Sequence, residues 1–338
     1  MHCTVLLPGL IWPDPDLTDI YRDLPLPNLQ WLLGHAKRTP CSDSAEQWLA
    51  GQLQLQTPLP VAQFTAALDG LDHGHNWLRA DPVHLQVNMD QLLLVPGSAL
   101  QISAEDADVL TTALNRHFAE DGLQFVAPHP QRWYVRLTHT AAVTHTPLNQ
   151  VAGHNINDFL PQGTDAMRWH QWLNEIQMLL YTHPANDARE QRGLPLIHSV
   201  WFWGEGSAQA VRHWPWHHTC GNELLLQALA SSAKASCVPL PAQATQWLQQ
   251  TGGSHSLIWL DQLQQAALYG DAYAWREALK QLDNDWLAAL KAQLQSGQIQ
   301  RLTLVVPGQC IADITSSSRW KFWRRPLPRA NLAATIRN

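Results

Sequence analysis

Apolar positions recur along the chain in two rhythms, and those rhythms assign its elements. Thr4-Val5-Leu6-Leu7 is a short continuous apolar run stopped by Pro8-Gly9, the pattern of a strand buried on both faces. A proline-punctuated loop follows through Asp14, Asp16 and Pro25, and Asn28 stands where it would cap a helix carrying Leu29, Leu32 and Leu33. Asp81-Pro82-Val83-His84-Leu85 opens a second region, and the strand-like run Leu92-Leu93-Leu94-Val95 ends at Pro96-Gly97. Ser103 with Asp106 three residues on forms a capping box. The helix it opens keeps Val109, Leu110, Leu114 and Phe118 at helical spacing before Gly122 stops it. Trp133-Tyr134-Val135-Arg136-Leu137 then reads as a strand, which completes a small strand–helix–strand unit.

Beyond it, Trp172, Leu173, Ile176 and Leu180 predict an amphipathic helix over 167–180. Strands are predicted at 196–203, 257–260 and 302–306. Between the last two, Trp275, Leu279, Leu282, Trp286 and Leu290 form one face of a helix over 273–294, with Gly297 beyond it. Strands alternating with helices predict an α/β chain with a mainly parallel sheet flanked by helices.

Composition narrows the setting. Apolar residues are 45% and charged residues 15% of the 338, enough to bury two cores and unlike a disordered chain. The formal charge of −6 gives no overall reason to expect nucleic acid or an anionic membrane as partner, and no apolar run approaches a membrane span. The opening Met1-His2-Cys3 lacks the cationic flank of a secretory signal. Five scattered cysteines without a C-x-x-C pair disfavour disulfides and zinc knots, so the expected location is cytoplasmic. Seventeen tryptophans, at no fixed repeat, are read mainly as core.

Generic catalytic motifs are missing: there is no P-loop, no G-x-G-x-x-G, no H-E-x-x-H and no G-x-S-x-G. His213, His217 and His218 lie close together, but no neighbouring acid or cysteine completes a metal site. Asn186 and Arg189, followed by the 196–203 strand and Gly204-Glu205-Gly206, are more suggestive. Parallel sheets place ligand loops at the carboxyl ends of strands, glycines let backbone approach a ligand, and an arginine grips phosphate bidentately. Arg319-Trp320-Lys321-Phe322-Trp323-Arg324-Arg325 interleaves cations with aromatics, a strip for anions or for packing.

A family likeness emerges from these residues. Asn186, Arg189, Gly193 and Ile197 through Gly206 resemble the N-x-x-R…G…W-x-W-G-x-G segment of archaeal-type, cofactor-independent phosphoglycerate mutases. The unit from Asp81 to Tyr134 is similar to those enzymes' small inserted domain. Thr146-Pro147 to Pro161-Gln162-Gly163 resembles the return segment, and Leu26-Pro27-Asn28-Leu29 the T-P-N-l-D stretch. The ending W-x-F-W-R-R-P is similar to that of RpfE-type regulatory proteins. The resemblance implies an alkaline phosphatase-like core from residues 1–75 and 153–338. It also implies a small α/β domain inserted at 76–152 and a cleft at the junction.

Active members of that family use two divalent metals held by Asp and His, with a Ser or Thr nucleophile. Here the departures fall at those positions. The first strand ends in Pro8-Gly9 where an Asp-Gly is expected, Pro147-Leu148-Asn149 replaces Pro-His-Asp, and Val306-Pro307-Gly308 stands near an Asp-His. The substrate-side R-x-N reads Gln86-Val87-Asn88. The resemblance therefore implies a regulatory or ligand-binding pseudoenzyme without cofactor. Asn88, Asn186, Arg189, Gly204, Glu205 and Gly206 would contact a phosphorylated small molecule or a protein partner. The alternatives are a working phosphotransferase whose Mn or Zn pair uses Asp261 and Asp271, and a Trp-rich docking scaffold.

Overall fold

The first apolar run forms the strand His2–Leu6, and it lies inside a seven-stranded sheet. The computed structural model describes residues 1–338 apart from 73–74, 89–90, 138–142, 251–254, 321–322, 329–331 and 333–338. The chain divides into two compact units, Met1–Thr57 with Ala210–Asn338, and Pro58–Gln209.

In the first unit the strands run in the order Cys237–Val238, His218–Cys220, His255–Trp259, His2–Leu6, Arg301–Val306, Cys310–Thr315, Lys37–Pro40. The first five are parallel and the last two pair antiparallel. A central strand must be apolar on both sides, which is why Cys3, Val5, Leu6 and Leu7 are all buried. The predicted long helix is present as Ala272–Leu282 and Ala288–Ser296, joined by a π-helical stretch, Asp283–Leu287. Its face Trp275, Leu279, Leu282, Trp286 and Leu290 is buried as the spacing requires. Gly297 ends it in the left-handed region at φ +86°.

One cap differs from expectation. The helix Pro27–His35 has no side-chain cap at its own N-terminus. Its first amides are held instead by Asp283, which accepts from Leu29 N at 2.7 Å and from Asn28 N at 3.3 Å. Asn28 donates to Asp283 Oδ2 at 2.9 Å rather than capping. A carboxylate more than 250 residues away does the work that local sequence reserves for Ser, Asp or Asn.

The second unit carries an antiparallel sheet in the order Gln91–Pro96, Asn76–Asn88, Arg132–Leu137, Leu123–His129, with Ser199–Trp203 also pairing Asn76–Asn88. The helix Ala104–His117, with its Ser103–Asp106 capping box, and the helix Ala166–Tyr181 bury their apolar faces in this unit's core. Residues 153–209, expected in the core domain, therefore belong to the second unit. The pairing of Arg79 with Trp203 through Val83 with Ser199 places them there. An apolar run announces a strand but not its partner, so local pattern leaves that choice open. No helix among the described residues is long and apolar enough to cross a membrane.

Candidate functional site

In the first unit, the carboxyl edge of the parallel sheet is where a metal pair would be assembled. The three adjacent strands His255–Trp259, His2–Leu6 and Arg301–Val306 lead there into Asp261, Pro8-Gly9 and Pro307-Gly308. The space beside Pro8-Gly9 is filled. Gly9 has φ +74°, and a Cβ on it would lie 2.9 Å from Gln264 Cα. Its carbonyl accepts from Trp275 Nε1 at 2.8 Å. Trp12 and Tyr21 each meet the Trp275 ring edge-on at 5.5 Å. Leu7, Leu10, Trp12, Leu260, Leu263 and Trp275 are all buried here, in one apolar cluster.

Asp261 is an acid at this edge. Burial pushes its carboxyl above the ordinary range, and only its own backbone amide opposes the shift. Asp271 is engaged elsewhere: it caps the Ala272–Leu282 helix, accepting from Ala274 N at 2.9 Å. His213 and His217 are exposed and His218 is partly buried. Among the described residues, no group of three or more His, Cys, Asp or Glu is placed to hold a metal ion. Two divalent metals need several anionic or imidazole ligands converging on a wet cavity. The residues present at this edge do not fit them.

The candidates of the second unit are placed in two ways. Arg189 is 0% exposed and its donors are spent internally. Nη1 pairs with Asp106 Oδ2 at 2.7 Å, Nη2 donates to the carbonyls of Leu100 and Pro195, and Nε donates to Pro195 O at 3.0 Å. Burial works to raise the Asp106 carboxyl, but the Ser103 amide and the Arg189 guanidinium outweigh it and hold it below the usual range. Asn186, 1% exposed, bonds Leu180 O at 2.7 Å and both Ile197 O and Ile197 N at 2.8 and 2.9 Å. These two residues tie the helix Pro184–Gln191 to its surroundings, and neither presents a donor to solvent. Asn88, by contrast, stands at the exposed end of the Asn76–Asn88 strand.

Gly204 and Gly206 have φ +80° and +135°. A Cβ on Gly204 would sit 3.0 Å from Ala62 N, whose amide donates to Gly204 O at 2.9 Å, and one on Gly206 would sit 3.0 Å from Pro60 Cβ. The glycines are needed for close packing on residues 60–62, so their presence requires no ligand. Glu205 holds His145: Oε1 accepts from His145 N at 2.8 Å and Oε2 lies 3.3 Å from His145 Nδ1. Burial favours the neutral form of Glu205, yet the contacts to His145 lower its pKa below the ordinary value.

Not legible in the sequence was a second polar network in this unit. Arg132 grips Asp69 bidentately at 2.5 Å, and Tyr134 Oη donates to Asp69 at 2.6 Å. Arg79 pairs with Asp81 at 2.6 Å while its guanidinium lies 5.3 and 5.2 Å from the Tyr134 and Trp203 rings. His145 and Arg192, a second partner of Asp106 at 3.3 Å, were equally unmarked. Arg132 and Tyr134 meet Asp69 from more than 60 residues away and Arg192 meets Asp106 from 86, so no local spacing signals them, while Arg79 and Asp81 stand two apart on one strand.

Known proteins share this frame. Over 136 residues, 39% of this chain and 34% of the relative, it is 26% identical to the 2,3-bisphosphoglycerate-independent phosphoglycerate mutase of Methanosarcina mazei. Over 157 residues, 45% of this chain and 38% of the relative, it is 27% identical to a probable mutase of the same kind from Geobacter sulfurreducens. Over that part of its length the chain is similar to these mutases. Its matches span little more than a third of those mutases' own length. No family model matches. A solved Pyrococcus horikoshii protein superposes with a TM-score of 0.53 at 12% identity, covering 97% of this chain and 91% of that protein, which shows a shared fold. The fold class is accordingly mixed α/β with a mainly parallel central sheet flanked by helices.

Proposed function

We propose that this phosphoglycerate mutase-like chain is a non-catalytic regulatory or binding protein that has lost its two-metal centre. The observation that carries the reading is the carboxyl edge of the parallel sheet. Trp12, Trp275 and Leu263 pack there beside Pro8-Gly9, and among the described residues no group of three or more His, Cys, Asp or Glu is placed to hold a metal ion. Phosphoryl transfer by paired metals needs charge-bearing ligands and room for a phosphate, both of which an apolar cluster denies. A phosphorylated small molecule or a protein partner is the expected ligand class, and Asn88 remains an exposed candidate contact. The rival is a metal-dependent phosphotransferase rearranged around Asp261, and the half-buried carboxylate of that residue is what favours it.

Calorimetric titration of the purified protein with Mn²⁺ and Zn²⁺, alongside a coupled phosphoglycerate mutase assay, separates the two. The expected result is no stoichiometric pair of sites and no turnover. Two tight sites per chain, weakened by Asp261→Ala, would overturn the proposal.

A further inference from the structure

The helix Ala166–Tyr181 buries Trp169, Trp172, Leu173, Ile176 and Leu180 in the core of the second unit, and its outer face is exposed. Among the described residues, five large apolar or aromatic side chains are at least 70% exposed: Val87, Met167, Met178, Tyr181 and Tyr273. Three of those five stand on this one helix. Its other exposed positions are Arg168, Gln171, Asn174 and Glu175.

The order of these positions is regular. Met167, Gln171, Asn174, Met178 and Tyr181 follow one another at intervals of four, three, four and three residues. That is the seam spacing of a coiled coil, which keeps one stripe turned toward a partner helix. The stripe carries no charge, and the side-chain amides of Gln171 and Asn174 have no bonding partner among the described residues. Arg168 and Glu175 border it on one flank, each one position after a seam residue.

We propose that this face docks a second copy of the chain, two Ala166–Tyr181 helices packing antiparallel about a two-fold axis, a role that goes beyond the proposed function and does not rest on it. The stripe complements itself in that arrangement. With Met167 opposite Met178 of the second copy, Gln171 stands opposite its Asn174, so thioethers meet thioethers and amides meet amides. The two-fold axis repeats each contact. Arg168 and Glu175 of the second copy then flank the same pair of layers, which sets opposite charges against each other. Both ions are half-exposed. Their contacts within the chain, Arg168 to Asp121 at 3.5 Å and Glu175 to His117 at 3.3 Å, are surface pairs that cost little to exchange. Methionine is flexible and polarizable, which suits a face that is wet in the monomer and packed in the dimer. An amide layer fixes register at a cost in strength. A lipid surface fits less well, because two amides sit at the centre of the stripe and Glu175 borders it where a bilayer-binding helix carries Lys or Arg. A standard interface engages about 20–30 residues a side, so a seam this short predicts a weak dimer that dissociates at micromolar concentration.

Sedimentation velocity of the full chain, diluted from near-millimolar to sub-micromolar concentration, tests the proposal. A monomer–dimer equilibrium is expected. Met178→Glu sets an anion against Met167 of the second copy and should weaken the dimer about tenfold or more. The melting temperature should hold, because the Met178 side chain is 72% exposed. Arg168→Glu should weaken the dimer as well, and adding Glu175→Arg should bring it back, since opposite charges face each other again with their signs exchanged. A chain that stays monomeric throughout, or a dimer indifferent to Met178→Glu, would overturn the proposal. Failure of the charge exchange to restore the dimer would overturn the antiparallel register. A monomer that cosediments with vesicles of phosphatidylcholine and phosphatidylserine, and is released by Met178→Glu, would assign the face to a membrane instead.

Discussion

Replacing Arg189 by alanine separates a residue that builds the fold from one that grips a ligand. The wild-type guanidinium is sealed from solvent and serves the Asp106 carboxylate together with the carbonyls of Leu100 and Pro195. Alanine leaves those acceptors without their donor. Removing one partner of a buried pair costs about 3–5 kcal/mol. Arg192, half-exposed and 3.3 Å from the other Asp106 oxygen, retains part of the pairing, which places the expectation near the lower end, about 3 kcal/mol. For a unit of this size each kcal/mol moves the midpoint by about 2–4 °C, so the melting temperature should fall by roughly 6–12 °C. Differential scanning calorimetry of the full chain would register the change in the transition assigned to residues 58–209. Arg189→Lys should recover only a fraction, since one ammonium cannot reach Asp106 and two carbonyls in the guanidinium's fork. A midpoint within a degree of wild type, with binding of a phosphorylated compound abolished, would refute the structural assignment.

Other outcomes follow from the same geometry. Asp283→Ala should destabilise the first unit by about 2 kcal/mol in chemical denaturation, because the Asn28 and Leu29 amides lose their cap. Asp261→Asn should stabilise the protein at pH 7 and make no difference near pH 3. Burial raises the carboxyl of Asp261, so the native state is favoured when it is protonated and loses that advantage as pH climbs through its folded pKa. Glu205→Gln should do the opposite. The folded pKa of Glu205 is lowered, so its contribution is present above the ordinary Glu value and disappears as pH falls through the folded one. Melting curves between pH 3 and 8 would expose both signs, and parallel curves for wild type and either variant would contradict them.

Much of the local structure was written in the chain. The His2–Leu6 strand, the Ser103–Asp106 capping box, the buried face of the 272–296 helix and the Gly297 stop all follow from periodicity and turn chemistry. Those signals act over a few residues, and the same residues carry them in any tertiary setting. The unusual ends of two parallel strands, Pro8-Gly9 and Pro307-Gly308, and the Asp261 after a third were likewise visible beforehand, and with them the reason to look for a missing metal pair.

Tertiary structure decided the rest, because it depends on which distant groups meet. The 199–203 strand could have joined the parallel sheet on its apolar pattern, and it pairs antiparallel with residues 79–83 instead. Asn28 carries the right side chain for a cap, yet Asp283 supplies it. Arg189 looks like a phosphate gripper until Asp106 and two carbonyls are found consuming it, and Gly204 looks like a ligand loop until Ala62 is found against it. In the basic segment, sequence showed the alternation of rings and cations. Only the fold showed that Trp320 and Trp323 stay in water while the other indoles find cover. Burial and pairing are long-range properties, set when the chain closes on itself, and a buried polar group takes its role from the partner it meets there.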